Sequence, residues 1–435
     1  MKDAQTKRNQ MYKTLQSDPP DIVIAGGGVT GAGIAREAAL SGLRVLLVES
    51  MDFGWGSSSA SSKLVHGGLR YLQSGQPLVT YHSVREREGL MNELPGLVRP
   101  LDFVLPFYST KNQWLYKFGL LVYDRFAGRS YHHKLSANEV IGQFEGMQKE
   151  GLKGGYVYYD AQTDDMRLLL RIVHDADRAG ATLINYARLN KVKFENDTVS
   201  AAVIYDRLTE TEYVIPCKVV VNATGANADE LRSMVAKTKL IRPLRGSHVV
   251  FSHDRLPISK AFAFRHPKDR RNVFVLPWLG VSFVGTTDLD HQGSSDDLAV
   301  ISEAEKSYLL EAANTAFPDA KLQEKDIVST WSGVRPVVSS GAKDPSKESR
   351  DMFIDLHKGL LTVTGGKLTT FRSEAIHALR KLSHIFASLK DVKPHRFKNP
   401  ALTKRLGFKN GIDENYLSSA YSDDAFAFAK KLLNH

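Results

Sequence analysis

Cysteine is almost absent. The 435 residues contain one, Cys217, which excludes an intramolecular disulfide framework and a cysteine-rich zinc or iron–sulfur site and fits a reducing cytosol. No run approaches the ~18 consecutive apolar residues of a membrane span. Residues 1–20 are polar and lack the apolar stretch of a secretory signal, so the sequence predicts a soluble or peripheral protein. Nor is there an excess of acidic residues, proline or glycine: 42% apolar and 24% charged residues is ordinary globular usage, and most of the chain is expected to fold. Its length accommodates about two to four domains. Positive charge is in surplus, with 58 Lys and Arg against 48 Asp and Glu, a net +10 that points to an anionic partner. A phosphate metabolite, an anionic lipid surface and nucleic acid all fit. With no basic low-complexity run, helix-turn-helix or zinc-finger spacing, no nucleic acid is expected.

Residues 21–25 (DIVIA) read as a buried parallel strand that stops in glycines, residues 30–41 as a helix closed by Gly42, and residues 44–49 (RVLLVE) as a second buried strand. Between the strands lies Gly26-x-Gly28-x-x-Gly31, and Glu49 follows Gly31 by eighteen positions. Gly26 permits the tight turn, Gly28 lets backbone approach a pyrophosphate, and Gly31 lets helix and strand pack closely. The helix N-terminus adds amide donors, and Glu49 would accept from ribose hydroxyls. Strand, helix, strand and terminal acid in register favour dinucleotide binding over an unrelated glycine turn.

Further along, Asp164 or Asp165 caps a helix running to about Arg178, followed by a strand at 181–186. A strand at 218–222 ends in Ala223-Thr224-Gly225, where Gly225 either adds backbone to the dinucleotide site or is an ordinary strand exit. Residues 249–252, 273–276 and 281–286 read as strands of a different sheet and hence a second domain. Residues 269–272 and 339–350 read as polar loops, and the weakly patterned tail after 387 regains a helix at 416–433. Residues 111–134 mix Trp114, Leu115, Tyr116, Phe118, Leu120, Leu121, Tyr123 and Phe126 with Lys111, Lys117, Arg125, Arg129 and Lys134. This reads as a basic amphipathic helix on an anionic bilayer or as a helix buried against the protein.

Residues 54–70 read GWGSSSASSKLVHGGLR, and the packed-looking Leu64, Val65, Leu69 and Leu72 argue for a phosphate- and cofactor-lining loop over a flexible serine linker. The run SSSASSKLVHGGLRYL at 57–72 resembles the signature of the FAD-dependent, respiratory-type glycerol-3-phosphate dehydrogenases. Matching blocks follow in order: VNATG (221–225), RGSHVV (245–250), FVLPW (274–278), GTTD (285–288), SGVRP (332–336) and GGKLTT (365–370). The resemblance spans about residues 18–385. Two departures stand out: Ala226, Asn227 and Ala228 replace the usual proline and tryptophan after VNATG, and the family's longer helical cap is reduced to a remnant.

The resemblance implies an α/β fold, with an FAD-binding doubly wound domain like that of glutathione reductase and amino-acid oxidases. This domain (18–91, 160–240 and 327–387) is interleaved with a mixed-sheet α+β substrate domain (92–159 and 241–326), and 388–435 forms a short helical C-terminal remnant of the cap. It implies FAD as cofactor and the oxidation of sn-glycerol 3-phosphate to dihydroxyacetone phosphate, with electrons passed to a quinone acceptor. Location would be cytoplasmic, peripheral on the inner face of the cell membrane against its anionic surface; a homodimer stays open.

Such a reaction needs a base for the hydroxyl proton, and His66 is the best candidate, a structural role in the glycine turn being the alternative. A phosphomonoester calls for forked donors, offered by Arg70, Arg335 and Arg350, with Tyr71 as a hydroxyl contact. Arg335 takes the position of the family's active-site arginine, so it either binds phosphate or steadies the developing alkoxide. Gly365, Gly366, Lys367, Leu368 and Thr369 follow a strand at 360–364 and open a helix towards Leu379. Its N-terminus and Lys367 would balance negative charge at the flavin pyrimidine edge. Ser57, Ser58, Ser61 and Lys63 complete the expected cofactor set. A glycerol-3-phosphate oxidase producing hydrogen peroxide, an amino-acid or amine oxidase, and a flavin-bound redox sensor without turnover are the alternatives; the matching blocks and multiple arginines argue against the amine reading.

Overall fold

The computed structural model describes residues 2–73, 75–293, 297–341, 348, 352–398 and 413–425. Among these, strands assemble into three sheets. Strand Ile22–Ala25, buried along its whole length, lies at the centre of a six-stranded sheet, where apolar side chains on both faces require cover from both sides. Val45–Val48 and then Thr182–Ile184 flank it on one side, and Val219–Asn222, Leu360–Thr364 and Phe353–His357 on the other. All neighbours run parallel except the last pair.

The helix Val29–Leu40 covers one face, against the helices Asp165–Arg178 and Phe371–Lys381. Asp164 caps the second of these, accepting from Arg167 N at 3.0 Å. Ile22, Ile24, Ile34, Leu47, Val221, Leu361 and Leu379 are buried together here, and each such side chain contributes roughly 1.5–3 kcal/mol on leaving water. The opposite face packs on a small antiparallel sheet of Ala187–Glu195, Thr198–Asp206 and Thr211–Pro216.

The ten-stranded sheet holds the strands expected of a second sheet; Ile241–Ser252 and Asn272–Trp278 are longer than their apolar runs, while Val281–Gly285 stops one residue short of the expected end at 286. The first extends back through polar RPLRGS because backbone pairing with Ile327–Val338 holds that half. This pairing also sets Ile327–Val338, expected in the dinucleotide-binding part, in the larger sheet. Leu64–Val65 joins the same sheet through Gln162 and Ala161.

The helix read over 111–134 is Thr110–Ala127, capped by Ser109 and ended by Gly128 in the left-handed conformation. It is buried against the protein on one face only: Leu120, Tyr123 and Ala127 are buried, while Trp114, Leu115, Phe118, Leu121 and Val122 are exposed. No described helix is long and apolar enough to cross a membrane. Of the helix expected at 416–433, Glu414–Tyr421 is present, and residues 426–433 lie outside the described residues.

Candidate active site

The turns after Ile22–Ala25, Val219–Asn222 and Leu360–Thr364 leave the same edge of the six-stranded sheet. The chain goes from the first strand to Val45–Val48 on one side and returns on the other, so a crevice opens between the strand ends. One cavity of about 1520 Å³ starts there and runs under the larger sheet. Its walls include Gly26, Gly28, Glu49, Gly225, Gly365, Gly366, Leu368 and Thr369 together with His66, Tyr71, Lys367 and Arg335.

The cradle has no room for side chains. A Cβ on Gly26 would stand 2.4 Å from the Ala223 carbonyl oxygen, and one on Gly31 would stand 1.9 Å from the Gly26 oxygen. Strand and helix are therefore in backbone contact, and the first turn of Val29–Leu40 faces the cavity, as a pyrophosphate site requires. Glu49 Oε2 accepts from Gly27 N at 2.6 Å and Oε1 from Met51 N at 2.9 Å, which fixes the carboxylate at the cavity wall.

The serine loop divides its work. Ser58 Oγ accepts from Val29 N at 2.9 Å, supplying the helix with the side-chain cap that Gly28 cannot. Ser57 Oγ donates to the Val334 carbonyl, and Trp331 Nε1 donates to the Ser61 carbonyl at 3.0 Å, so the loop is sewn to the larger sheet. Ser61 Oγ donates to Asp165 Oδ2 at 2.7 Å. Lys63 departs from the expected cofactor role: Nζ is bound to Asp165 Oδ1 at 2.6 Å and to the Ser59 carbonyl at 2.8 Å, and the residue is absent from the cavity wall. A buried carboxylate outcompetes a cavity for a buried ammonium.

His66 lies past the loop. Thr369 Oγ1 accepts from His66 N at 3.0 Å and donates to His66 O at 3.2 Å, joining two glycine-containing turns of the site across 303 positions. Lys367 Nζ sits 3.8 Å from the centroid of the Tyr71 ring. The segment 365–370 does not open the helix, as the sequence suggested. Gly365 and Gly366 have φ of 79° and 70°, incompatible with a right-handed helix, which begins only at Phe371. Lys367 N instead donates to Glu374 Oε1 at 3.0 Å.

Arg335 Nη1 donates to Asp288 Oδ1 at 3.1 Å and Nη2 to Thr286 Oγ1 at 3.0 Å, with about a quarter of the side chain exposed. The structure places the backbone of Arg70 in the short helix Leu69–Gln73, next to Tyr71, and its side chain is outside the described set. Arg350 also lies outside the described residues.

Sequence reasoning passed over His248, although it stood in one of the matching blocks. Its ring lies in the cavity wall, stacked 4.8 Å from Trp331, with Nε2 at 2.9 Å from Ser62 Oγ. Nδ1 has no hydrogen-bond partner among the described residues. Burial, then the cations of Arg335 and Lys63, hold its pKa well below the ordinary 6.5, so the ring is neutral. Asp288 and Thr286, which orient Arg335, were legible only as part of GTTD.

Comparison with known proteins agrees with this geometry. The family model described as FAD dependent oxidoreductase matches residues 21–372. An aerobic glycerol-3-phosphate dehydrogenase of Staphylococcus aureus (strain USA300) is 37% identical over 421 residues, covering 93% of this chain and 73% of the relative. The crystal structure of the glycerol-3-phosphate dehydrogenase from Bacillus halodurans complexed with FAD superposes with a TM-score of 0.73 at 29% identity, covering 90% of this chain and 68% of that one. An L-α-glycerophosphate oxidase from Mycoplasma pneumoniae with FAD bound shares the fold at TM-score 0.66 and 18% identity, covering 87% of this chain and 97% of that one. The cofactor of this chain is FAD, and the chain belongs to the FAD-dependent oxidoreductases and, among them, to the aerobic glycerol-3-phosphate dehydrogenase family.

Proposed function

We propose that this chain oxidises sn-glycerol 3-phosphate to dihydroxyacetone phosphate and delivers the electrons to a membrane quinone. The observation that carries the reading is that His66, Tyr71, Arg335 and Lys367 line one cavity with the glycine turns of the dinucleotide cradle. Gly26, Gly28, Gly31, Glu49, Ser57, Ser58, Gly225 and 365–369 would hold FAD. When bound, FAD supplies the acceptor for the hydride leaving C2 of the substrate.

His66 takes the hydroxyl proton, since imidazole is the side chain whose ordinary pKa lies nearest neutrality. Asp288 and Thr286 hold the Arg335 guanidinium, which lies in the cavity wall, where its charge would meet a phosphate or the C2 oxygen. Arg70 and Arg350 would share the dianion with Tyr71. Lys367, held by its backbone contact to Glu374, brings a positive charge to the same chamber. His248 contributes a neutral wall: an uncharged ring beside Arg335 leaves the guanidinium's charge for the substrate.

The exposed face of Thr110–Ala127 supports the quinone and the membrane location. Trp114, Leu115, Phe118, Leu121 and Val122 are flanked by Lys111, Lys117 and Arg125, and the helix's one acid, Asp124, is buried. Apolar side chains with cations at their margin suit an anionic bilayer. Tyr108, Asn112 and Tyr116, at the start of this helix, line the cavity, so an apolar acceptor dissolved in the bilayer would meet the cavity mouth.

The purified yellow protein, mixed anaerobically with sn-glycerol 3-phosphate, is expected to lose its flavin absorbance, whereas glycerol and a D-amino acid leave it unchanged. Subsequent addition of a soluble quinone should restore the colour faster than oxygen does. Absence of bleaching would overturn the substrate; reoxidation by oxygen with stoichiometric peroxide would replace quinone by oxygen as acceptor.

A further inference from the structure

Beneath the turn that carries His66, three elements bring buried polar groups to a single backbone amide. Arg87 comes from the helix Pro77–Glu93, Tyr123 from Thr110–Ala127 and Asp160 from the strand Gly154–Thr163; they are 0%, 1% and 2% exposed. Gly67 N donates to Asp160 Oδ1 at 2.9 Å and to Tyr123 Oη at 3.1 Å. Tyr123 in turn donates to Asp160 Oδ2 at 2.8 Å, and Arg87 Nη1 donates to Asp160 Oδ1 at 2.9 Å and Tyr123 Oη at 3.0 Å. Glu88 completes the set, its Oε1 accepting from Arg87 Nη2 at 2.7 Å and Nε at 3.2 Å.

The cluster reaches this amide because residue 67 has no side chain. A Cβ there would stand 2.3 Å from Tyr123 Oη and 2.4 Å from Val84 Cγ2. On the other flank, Thr369 Oγ1 holds both the N–H and the carbonyl of His66. The peptide unit after His66 is therefore gripped at both ends, its carbonyl by the loop carrying Lys367 and its N–H by the buried cluster, and the unit before His66 is held by the same loop.

A buried ion pair is a poor device for stability, since apolar groups of the same volume do as well. Aimed at the amide next to a proton acceptor, it fixes geometry, and a displacement of about 1 Å in such a group costs on the order of a hundredfold in rate. We propose that Asp160, Tyr123 and Arg87 are positioning residues that set the place of the His66 imidazole for proton removal. The inference rests on the reading that His66 takes the substrate's hydroxyl proton.

Tyr123→Phe tests it, because it removes one hydroxyl and keeps the ring. In the FAD-loaded holoenzyme, Y123F should bind glycerol 3-phosphate within about twofold of wild type and retain its FAD, while flavin bleaching slows roughly ten- to hundredfold. Hydrogen exchange at the Gly67 amide should accelerate at least about tenfold, a readout independent of turnover. Tyr12→Phe is the control: it removes a buried hydroxyl from Asp206, remote from Gly67 and from the cavity wall, and should change neither quantity more than about twofold.

Bleaching of Y123F at the wild-type rate, or equal losses in Y123F and Y12F, would overturn the positioning role while leaving the activity in place. Unchanged exchange at Gly67 would overturn it as well. Failure of glycerol 3-phosphate to bleach the wild-type protein would instead remove the functional reading, and the positioning role with it.

Discussion

Glu374 offers a prediction whose size follows from its surroundings. Its carboxyl backs the loop that carries Lys367: Oε1 accepts from Lys367 N at 3.0 Å and from the Thr370 hydroxyl, while Oε2 has no hydrogen-bond partner among the described residues. Burial is the main cause that pushes its pKa up from 4.5 to about 7; the bonds from Thr370 and Lys367 pull the other way. Below pH 4.5 the group is protonated in folded and unfolded chains alike. Between 4.5 and about 7 the unfolded chain releases the proton and the folded chain keeps it, so stability falls as pH rises through that window and stays lower above it.

At ~1.36 kcal/mol per pH unit the loss reaches about 3 kcal/mol. Unfolding entropy of ~2.1 cal/mol/K per residue gives about 0.9 kcal/mol/K for this chain, so the loss corresponds to about 3 °C in Tm. Glu374→Gln keeps the shape without the titration. Thermal unfolding of both holoproteins at fixed FAD and heating rate should show the Tm of E374Q gaining about 3 °C on wild type between pH 5 and pH 8. A difference in Tm that stays constant over that range would refute the argument, as would a gain of the opposite sign.

Arg335→Ala removes charge-assisted hydrogen bonds of ~1.5–3 kcal/mol each from the substrate chamber, so flavin bleaching by glycerol 3-phosphate should fall on the order of a hundredfold with the FAD content unchanged. An undiminished rate would take Arg335 out of the mechanism. On the exposed helix face, the double variant Trp114→Ser/Phe118→Ser should weaken co-sedimentation with phosphatidylglycerol-rich vesicles at least about tenfold, since each buried aromatic contributes roughly 1.5–3 kcal/mol. Bleaching by glycerol 3-phosphate should not change; equal vesicle binding would move the membrane contact elsewhere.

The dinucleotide-binding strand–helix–strand was legible because burial on both faces leaves uninterrupted apolar runs, here IVIA and VLLV, punctuated by glycine. The larger sheet was legible only in part. Where Ile241–Ser252 borders the cavity its polar side chains break the strand pattern, and backbone pairing with Ile327–Val338 holds what local preference would not. Lys63 shows a second limit: a lysine in a serine-rich loop suggests a phosphate ligand, yet Asp165, distant in sequence, claims it. The Gly67 cluster was illegible because Arg87, Tyr123 and Asp160 carry no shared spacing; each reads alone as a surface or packing residue.

The topology of the six-stranded sheet has a consequence for biosynthesis. Ile22–Ala25 must pair with Val219–Asn222, and that strand with Leu360–Thr364. At a ribosomal rate of about 5–20 residues per second, the first glycine turn waits roughly 20–70 s before the turn at Gly365 is made. For roughly 10–40 s of that interval, until Thr182–Ile184 and Val219–Asn222 are made, two short, wholly apolar strands have unpaired edges, the form most prone to join another chain. Cofactor capture is thus a late event in the life of the nascent polypeptide, and yield in a cell will depend on what shields those edges while synthesis continues.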